Sequence, residues 1–166
     1  MGITEDIEET GETLRENSII KAQYIYERTR CNCFADDTGL MVDALDGAPG
    51  VHSARYATDG HDFNANIDKL LRELSRVGAI TPSQRRARFR NVITLILDGE
   101  MHIFEGNMEG AIAPERQGVH GFGYDPVFIA DELPGQPIAA FPEGSKNQIS
   151  HRGKSLRAMA EFLKKN

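Results

Sequence analysis

Residues 35–40 (ADDTGL) contain two adjacent carboxylates, Asp36 and Asp37, and are the segment whose residue types point most clearly to a chemical function. Side chains alternate between the two faces of a strand, so both aspartates cannot face the core, and one is expected to project where the strand opens into a loop. Carboxylates at such a strand end suit a hard cation such as Mg²⁺, which takes few protein oxygens and keeps waters and phosphates as its other ligands. An ordinary turn with capping aspartates is the alternative interpretation.

A glycine-rich and aromatic segment, residues 121–126 (GFGYDP), is a candidate for binding a flat ring. Its glycines leave room for a ligand to approach backbone N–H groups, and Phe122 and Tyr124 offer a stacking surface. A glycine turn with two core aromatics has the same composition and is the alternative.

Residues 150–152 (SHR) and the upstream Lys146 form a further candidate segment. A hydroxyl, an imidazole, a guanidinium and backbone donors at the start of a helix suit an anion or an oxo group. A capped helix with exposed basic residues is the alternative, since serine is a common N-cap.

Arg55, in residues 53–56 (SARY), follows a Pro-Gly turn and fits either a phosphate contact or a structural ion pair.

The composition predicts one α/β domain over residues 1–166, located in the cytoplasm. This length allows a sizeable core, and the formal net charge of −6 argues against a general nucleic-acid binder. No apolar run approaches a membrane span, and the first residues do not form a signal peptide. The two cysteines, Cys31 and Cys33, are typical of reduced thiols and are too few for a structural zinc site.

Local patterns predict helices and strands around these segments. A capping box begins a helix over residues 13–28, an amphipathic helix covers 64–77, and a third helix begins near residue 153. The run 89–97 is nearly all apolar and predicts a strand buried on both faces, followed by a hairpin turn at residues 98–99. Further short strands are predicted over residues 33–35, 40–45, 101–104, 110–113 and 127–130.

In this order, the segments resemble the signature blocks of one family. Residues 8–11 (EETG), 16–22 (ENSIIKA), 35–40, 47–56 (GAPGVHSARY), 121–126 and 149–154 (ISHRGK) are similar to blocks of the Ham1/RdgB family, whose members are inosine triphosphate pyrophosphatases. The resemblance implies an α/β fold with a central mixed sheet of long strands and two lobes that flank a substrate cleft. It also implies Mg²⁺-dependent hydrolysis of non-standard purine nucleoside triphosphates (ITP, dITP, XTP) to monophosphate and pyrophosphate, in a homodimer.

The resemblance also implies roles for individual residues. Asp37 resembles the catalytic base and metal-binding carboxylate, Glu9 matches the acidic residue that shares the Mg²⁺, and Asp36 is expected on or beside the metal. Lys21 and Arg55 fall within matched blocks and are secondary candidates. The implied substrate-binding residues are Thr38, Phe122, Gly123, Tyr124, Asp125, Lys146, His151 and Arg152.

Recognition of the base has a physical rationale in this set. Phe122 resembles the residue that stacks on the purine, and residues 123–125 are expected to line the base pocket. Hypoxanthine and xanthine carry a 6-oxo acceptor where adenine carries an amino donor. Donors from His151 and Arg152 would therefore be left unpaired against adenine, which is costly.

Departures from the family pattern define the alternatives. Family members begin with a strand and a Thr/Ser-Gly-Asn-x-x-Lys loop that grips the triphosphate, and no such unit, roughly 30 residues long, precedes residues 8–11 here. The alternative function is therefore a catalytically weak or inactive nucleotide-binding remnant. Residues 141–145 (FPEGS) are poor in helix formers where relatives have a helix. A related pyrophosphatase of the Maf type is a weaker interpretation, against which residues 150–152 argue.

Overall fold

The computed structural model of the chain describes residues 6–166, so residues 1–5 of the predicted domain lie outside the described part. The helices and strands follow in the order α1 (Leu14–Thr29), β1 (Cys33–Val42), α2 (Phe63–Arg76), β2 (Arg86–Leu97), β3 (Glu100–Ile112), β4 (Phe128–Ala130) and α3 (His151–Lys165). Short 3₁₀ helices lie at Asp43–Leu45, Gly50–Arg55, Pro82–Arg85, Asp125–Val127 and Ile138–Ala140.

The four strands form one sheet in the order β1-β2-β3-β4, and every pair is antiparallel. The predicted α/β class and long strands are confirmed, but the sheet of the described residues is antiparallel throughout rather than mixed. Its longest strands, β2 and β3, are joined by the predicted turn at Asp98 and Gly99, which both have positive φ, of 51° and 83°. Such a two-residue turn matches the twist of a hairpin, and a hairpin makes its strands antiparallel.

The long strands merge segments that the sequence pattern separates. β1 joins the strand predicted over 33–35 to the first part of that predicted over 40–45, whose last three residues, Asp43–Leu45, form a 3₁₀ helix instead. β3 joins the strands predicted over 101–104 and 110–113. Each residue of β1 has a partner on β2, so the polar residues of the stretch 35–40 stay in the ladder. The prediction that the chain opens into a loop at this stretch is therefore wrong, because backbone pairing overrides the polar side chains.

Helices cover both faces of the sheet. The larger apolar cluster joins Leu40 of β1 and Phe89 of β2 to Leu70 of α2, and a smaller cluster joins Ile93 of β2 to Met159 of α3. Leu40, Phe89 and Ile93 point to one face because they share the period-2 register. α1 packs on the opposite face, so the sheet lies between α1 on one side and α2 with α3 on the other.

The helix starts follow the predicted capping residues. Thr13 accepts a hydrogen bond from the Glu16 amide, although the Glu16 carboxylate accepts from the amide of Glu12 rather than of Thr13. Ser150 caps α3 by accepting from the Gly153 amide at 3.0 Å. α3 therefore begins two residues before the predicted start, and His151 lies in its first turn.

The remaining predictions of local structure have clear outcomes. Residues 141–145 contain no helix, as their composition predicts. Among residues 6–166, no helix combines the length and the apolar character that crossing a membrane requires.

Candidate active site

One cavity of about 240 Å³ is lined by all eight residues that the sequence predicts to bind substrate. We call it the aromatic cavity, because Phe63, Phe89, Phe122 and Tyr124 form much of its wall. Strand β1 contributes Thr38, and the remaining predicted residues come from the loop before β4, the segment before α3 and the first turn of α3. Six further residues line the cavity without having been predicted to bind substrate, although the first four lie in the candidate segments 35–40 and 53–56: Gly39, Leu40, Ser53, Ala54, Phe63 and Phe89.

Phe122 stands at the rim of the aromatic cavity with 70% of its surface exposed. Its ring contacts Phe63 edge-on, with the ring centroids 4.6 Å apart. An edge contact uses little of the ring face, so the Phe122 ring retains a surface on which a flat ligand can stack.

Asp125 holds the loop that carries Phe122. The side chain is almost fully buried, and its Oδ2 accepts hydrogen bonds from the Phe122 amide at 2.7 Å and from the Lys146 ammonium. Gly121 has a φ of +86°, and a Cβ there would lie 2.4 Å from Asp125 Oδ2, so only glycine lets this loop close on the carboxylate. Asp125 therefore shapes the cavity by fixing Phe122 and Lys146.

Tyr124 anchors the same loop through its buried side chain. Its hydroxyl donates to the backbone oxygen of Ser53 at 2.7 Å, which ties the loop to the 3₁₀ helix Gly50–Arg55. Burial raises the pKa of Tyr124 above its usual range. The hydroxyl is thus a protonated donor that is already committed to the protein.

His151 forms a flat wall of the aromatic cavity. Its ring stacks on Phe89 with centroids 5.1 Å apart and planes 17° apart, and its buried Nδ1 has no hydrogen-bond partner within residues 6–166. Burial, aided by the charges of Lys146 and Arg152, lowers the pKa of His151 to about 4. The imidazole is neutral at neutral pH, with one nitrogen as a donor and the other as an acceptor.

The low pKa of His151 predicts a loss of stability in acid. Between about pH 6.5 and about pH 4 the unfolded chain protonates this histidine and the folded chain does not, so the free energy of unfolding falls as the pH falls through this window. The contribution is at most of the order of 3 kcal/mol. Urea unfolding at pH 7 and pH 4.5 should show a smaller drop for His151→Gln than for the unsubstituted protein. The exposed His120→Gln is the control, and an equal drop in all three proteins would contradict the assignment.

Asp36 and Arg152 form an ion pair beside the aromatic cavity. Arg152 directs Nε and Nη2 to Asp36 Oδ2 at 3.0 and 2.9 Å. Asn91 donates to the same oxygen at 2.6 Å and to Thr38 Oγ1 at 2.7 Å. The carboxylate of Asp36 is therefore engaged with α3 on one face of the sheet.

Asp37 projects to the opposite face, toward α1. The ammonium of Lys21 lies between two carboxylates, 3.0 Å from Asp37 Oδ1 and 2.9 Å from Glu9 Oε1. Asp37 Oδ2 is buried and has no hydrogen-bond partner in the described part of the chain. Burial raises the pKa of Asp37, although the charge of Lys21 opposes the shift. The Asn17 side chain also opposes the shift, so Asp37 combines a raised pKa with an Oδ2 atom that has no hydrogen-bond partner within the described residues.

The three carboxylates predicted to bind a metal do not converge. Within residues 6–166, no group of three or more acidic, histidine or cysteine side chains has the arrangement of a metal site. Asp36 is held by Arg152 on one face of the sheet, while Glu9 and Asp37 share Lys21 on the other. Glu9 and Asp37, whose Oδ2 has no partner among the described residues, still fit Mg²⁺, because this ion needs only one or two protein carboxylates besides waters and phosphates.

A second cavity of about 610 Å³, which we call the acidic cleft, adjoins the first. Thr38 and Ala54 line both cavities, so the two lie next to each other at these residues. Arg55 lies in the acidic cleft, where its Nε contacts His61 Nε2 at 3.2 Å. The other residues that line the cleft are Asp6, Ile7, Glu8, Glu9, Asp37, Val51, His52 and His61.

Asn91 is a buried polar residue of this region whose contacts the sequence pattern does not predict. It is fully buried, and it connects Asp36 with Thr38. A signal was present, because an amide inside the apolar run 89–97 must find a partner within the protein. Its partners are far away in the sequence, so the run alone does not reveal them.

Comparison with known proteins finds one family. A sequence profile described as the Ham1 family matches residues 1–162. A protein from Porphyromonas gingivalis named dITP/XTP pyrophosphatase is 50% identical over 165 residues, which cover 98% of this chain and 81% of the relative. A Bacillus subtilis protein of the same name is 44% identical over 164 residues, with 98% and 81% coverage.

Solved structures give the same result for the fold. The Staphylococcus aureus Ham1 protein is 40% identical and superposes with a TM-score of 0.89, covering 97% of this chain and 81% of that one. A HAM1 protein from Coxiella burnetii is 39% identical, with a TM-score of 0.90 and coverage of 98% and 82%.

Proposed function

Because this chain belongs to the Ham1 family, we propose that it is an enzyme that hydrolyses non-standard purine nucleoside triphosphates, such as dITP and XTP, to the monophosphate and pyrophosphate. The observation that carries the proposal is that the aromatic cavity and the acidic cleft lie next to each other and share Thr38 and Ala54. One ligand with a flat base and a phosphate chain fits this pair of cavities. The names of the relatives that are 50% and 44% identical support the substrate class.

The aromatic cavity is the base-binding end. Phe122 stacks on the purine, and Lys146, His151 and Arg152 supply donors close to the base. A 6-oxo purine can accept from these donors, whereas adenine presents an amino donor at the same position. A buried donor without an acceptor loses its hydrogen bonds to water, so adenine is disfavoured.

The acidic cleft is the phosphate end, where the chemical step occurs. A water molecule attacks the α-phosphorus, the bond between this atom and the bridging oxygen of the pyrophosphate leaving group breaks, and Asp37 Oδ2 accepts the proton of the attacking water. The free state of this oxygen and the raised pKa of Asp37 support its role as a general base. Arg55 lines this end and is the cationic side chain available to phosphate oxygens, while Lys21 holds the carboxylates of Glu9 and Asp37 beside it.

Glu9 and Asp37 are the residues that would hold Mg²⁺. When bound, the ion neutralises phosphate charge and lowers the pKa of a coordinated water. Lys21 now occupies the space between the same two carboxylates, so its ammonium and a metal ion compete for their oxygens.

The setting of the enzyme follows from the same proposal. A small nucleoside triphosphate is the partner, rather than a nucleic-acid polymer or a membrane, in agreement with the net charge of −6. A cytoplasmic location suits a nucleotide substrate, and both cysteines are free thiols, as expected there. The homodimer implied by the resemblance remains a prediction.

The test is pyrophosphate release from dITP, XTP, dGTP and dATP, with Mg²⁺ and with a chelator. We expect pyrophosphate release from dITP and XTP to be well above that from dATP. We also expect the chelator to abolish the release from dITP and XTP. A protein that binds dIMP but releases no pyrophosphate from any substrate would be the nucleotide-binding remnant instead. Equal release from all four nucleotides would contradict the assignment of the base-binding end.

Replacing Phe122 by alanine is predicted to weaken base binding without affecting the fold. Stacking of one base on an aromatic side chain contributes about 1–3 kcal/mol, so KM for dITP should rise by about 5- to 150-fold. Steady-state kinetics with dITP measures the change. Val119→Ala, which shortens a 91% exposed side chain three residues away, is the matched control and should leave KM unchanged. An unchanged KM in Phe122→Ala would exclude stacking on this ring.

A further inference from the structure

Asn91 is the centre of a buried hydrogen-bond network between the sheet and α3. Its Nδ2 donates to Asp36 Oδ2 at 2.6 Å and to Thr38 Oγ1 at 2.7 Å, and its Oδ1 accepts from the hydroxyl of Ser155. The Asp36 carboxylate only accepts hydrogen bonds, so the amide group must present its NH₂ side to β1 and its oxygen to α3. Both polar ends of Asn91 are therefore used, and they connect β1 to α3.

Ser155 is the member of this network on α3. It is fully buried, and its hydroxyl lies within hydrogen-bond distance of both Asn91 Oδ1 and the backbone oxygen of Arg152, the latter at 3.0 Å. Ser155 is one turn after His151, so its contact fixes the end of the helix that reaches the aromatic cavity. A shift at Ser155 would therefore be transmitted to the first turn.

The backbone of the sheet allows this contact at Gly106. Gly106 lies on β3 directly opposite Asn91, and a Cβ there would be 2.1 Å from the His151 backbone oxygen and 2.7 Å from the Ser155 amide nitrogen. The first turn of α3 therefore rests on the sheet backbone itself. At this short separation a side chain as small as that of alanine would displace the helix.

We propose that Asn91 and Ser155 are positioning residues that set the first turn of α3, and thereby the base-recognising side chains of His151 and Arg152. The inference rests on the proposed function, and it assigns the source of base selectivity to a contact outside the cavity. Arg152 is oriented through Asp36, whose Oδ2 accepts hydrogen bonds from both Arg152 and Asn91. Hydrogen bonds weaken steeply with misalignment, so a small tilt of α3 reduces recognition of the 6-oxo group more than it reduces binding of the phosphates.

The measurement that separates positioning from simple stability is the ratio of kcat/KM for dITP to kcat/KM for dATP. A loss of folded protein lowers both values equally and leaves the ratio unchanged. Ser155→Ala removes one hydroxyl and should lower the ratio by about 5- to 10-fold, because the helix loses one anchor. Asn91→Leu keeps the side-chain size but removes every polar contact, and should lower the ratio by about 10- to 100-fold.

Thr94→Val is the matched control. Thr94 is also fully buried on β2, but it faces α1, where its hydroxyl pairs with that of Ser18 at 2.7 Å. This variant should lower the Tm and leave the dITP/dATP ratio unchanged. Folding of each variant is checked by circular dichroism, and Ser155→Ala, the milder change, carries the test if Asn91→Leu does not fold.

The outcomes of this experiment distinguish the two proposals. The positioning role alone is overturned in two cases, both of which require that the unsubstituted enzyme is selective. In the first, the dITP/dATP ratio stays unchanged in both Ser155→Ala and Asn91→Leu. In the second, the ratio falls equally in Thr94→Val. An unsubstituted protein that hydrolyses dITP and dATP equally overturns the assignment of the base-binding end. If it releases no pyrophosphate, the same ratio is taken from the affinities for dIMP and dAMP by calorimetry. Affinities that do not discriminate then overturn the assignment of the base-binding end, and a ratio that Ser155→Ala leaves intact overturns the positioning role.

Discussion

Replacing Asp37 by asparagine is expected to reduce kcat for pyrophosphate release from dITP by about two to four orders of magnitude, the usual contribution of a general base. The substitution keeps the size of the side chain and its place on β1, but removes the negative charge and the proton acceptor at Oδ2. That oxygen is the buried carboxylate atom left without a partner in the described residues. The ring-binding side chains lie in the other cavity, so the affinity for dIMP should change by less than about twofold.

The measurement combines single-turnover hydrolysis of dITP with calorimetric titration of dIMP. Asp43→Asn is the matched control, since Asp43 directly follows β1, is half-exposed and pairs with Arg88 at 3.1 Å, away from both cavities. It should leave kcat unchanged. Full activity of Asp37→Asn would rule out the proposed mechanism, and loss of dIMP binding would indicate that Asp37 supports the fold rather than the chemistry.

Substituting alanine for Gly106 is the second change with a large expected effect. A Cβ would approach the His151 backbone oxygen to 2.1 Å, a contact with backbone that no rotamer can relieve. Overpacking of this kind costs about 1–3 kcal/mol. Replacing glycine by alanine also reduces the entropy of the unfolded chain, but that gain of about 0.4–1 kcal/mol is smaller. The net result should be a less stable protein with the first turn of α3 displaced.

The displacement should also appear in catalysis. His151 and Arg152 move with the first turn of α3, so kcat/KM for dITP should fall by at least about 10-fold, more than the loss of folded protein accounts for. Gly60→Ala is the control, because the nearest atom to its Cβ is Thr58 Oγ1 at 3.8 Å and its φ is not positive. That variant should change stability by less than about 0.5 kcal/mol. Normal stability and activity of Gly106→Ala would show that α3 does not depend on this close approach.

Strand β1 borders both the proposed base-binding end and the proposed phosphate end. Asp36 and Thr38 face α3, and Asp37 faces α1, because neighbouring residues of a strand point to opposite faces. Thr38 lines both cavities, so β1 passes between the proposed base-binding and phosphate ends. The adjacent aspartates can therefore have different tasks, one orienting Arg152 and the other accepting a proton.

The sequence by itself determined the parts that depend on local patterns. The capping residues Thr13 and Ser150 mark the starts of α1 and α3, and the Asp98-Gly99 pair marks the hairpin, because each acts on its immediate neighbours. The order of the motifs identified the family, and the residues chosen from them as substrate-binding line one cavity. Their catalytic and binding roles remain predictions.

Only the tertiary structure decided which groups meet across long stretches of chain. The alternation of side chains separates Asp36 from Asp37, but which face each one takes depends on where α1 and α3 pack. Arg152 reaches Asp36 over a sequence separation of 116 residues, and Asn91 joins them from a third element. Such contacts depend on the register of the sheet and on the absence of a side chain at Gly106. No local pattern contains either, because both are properties of the packed chain.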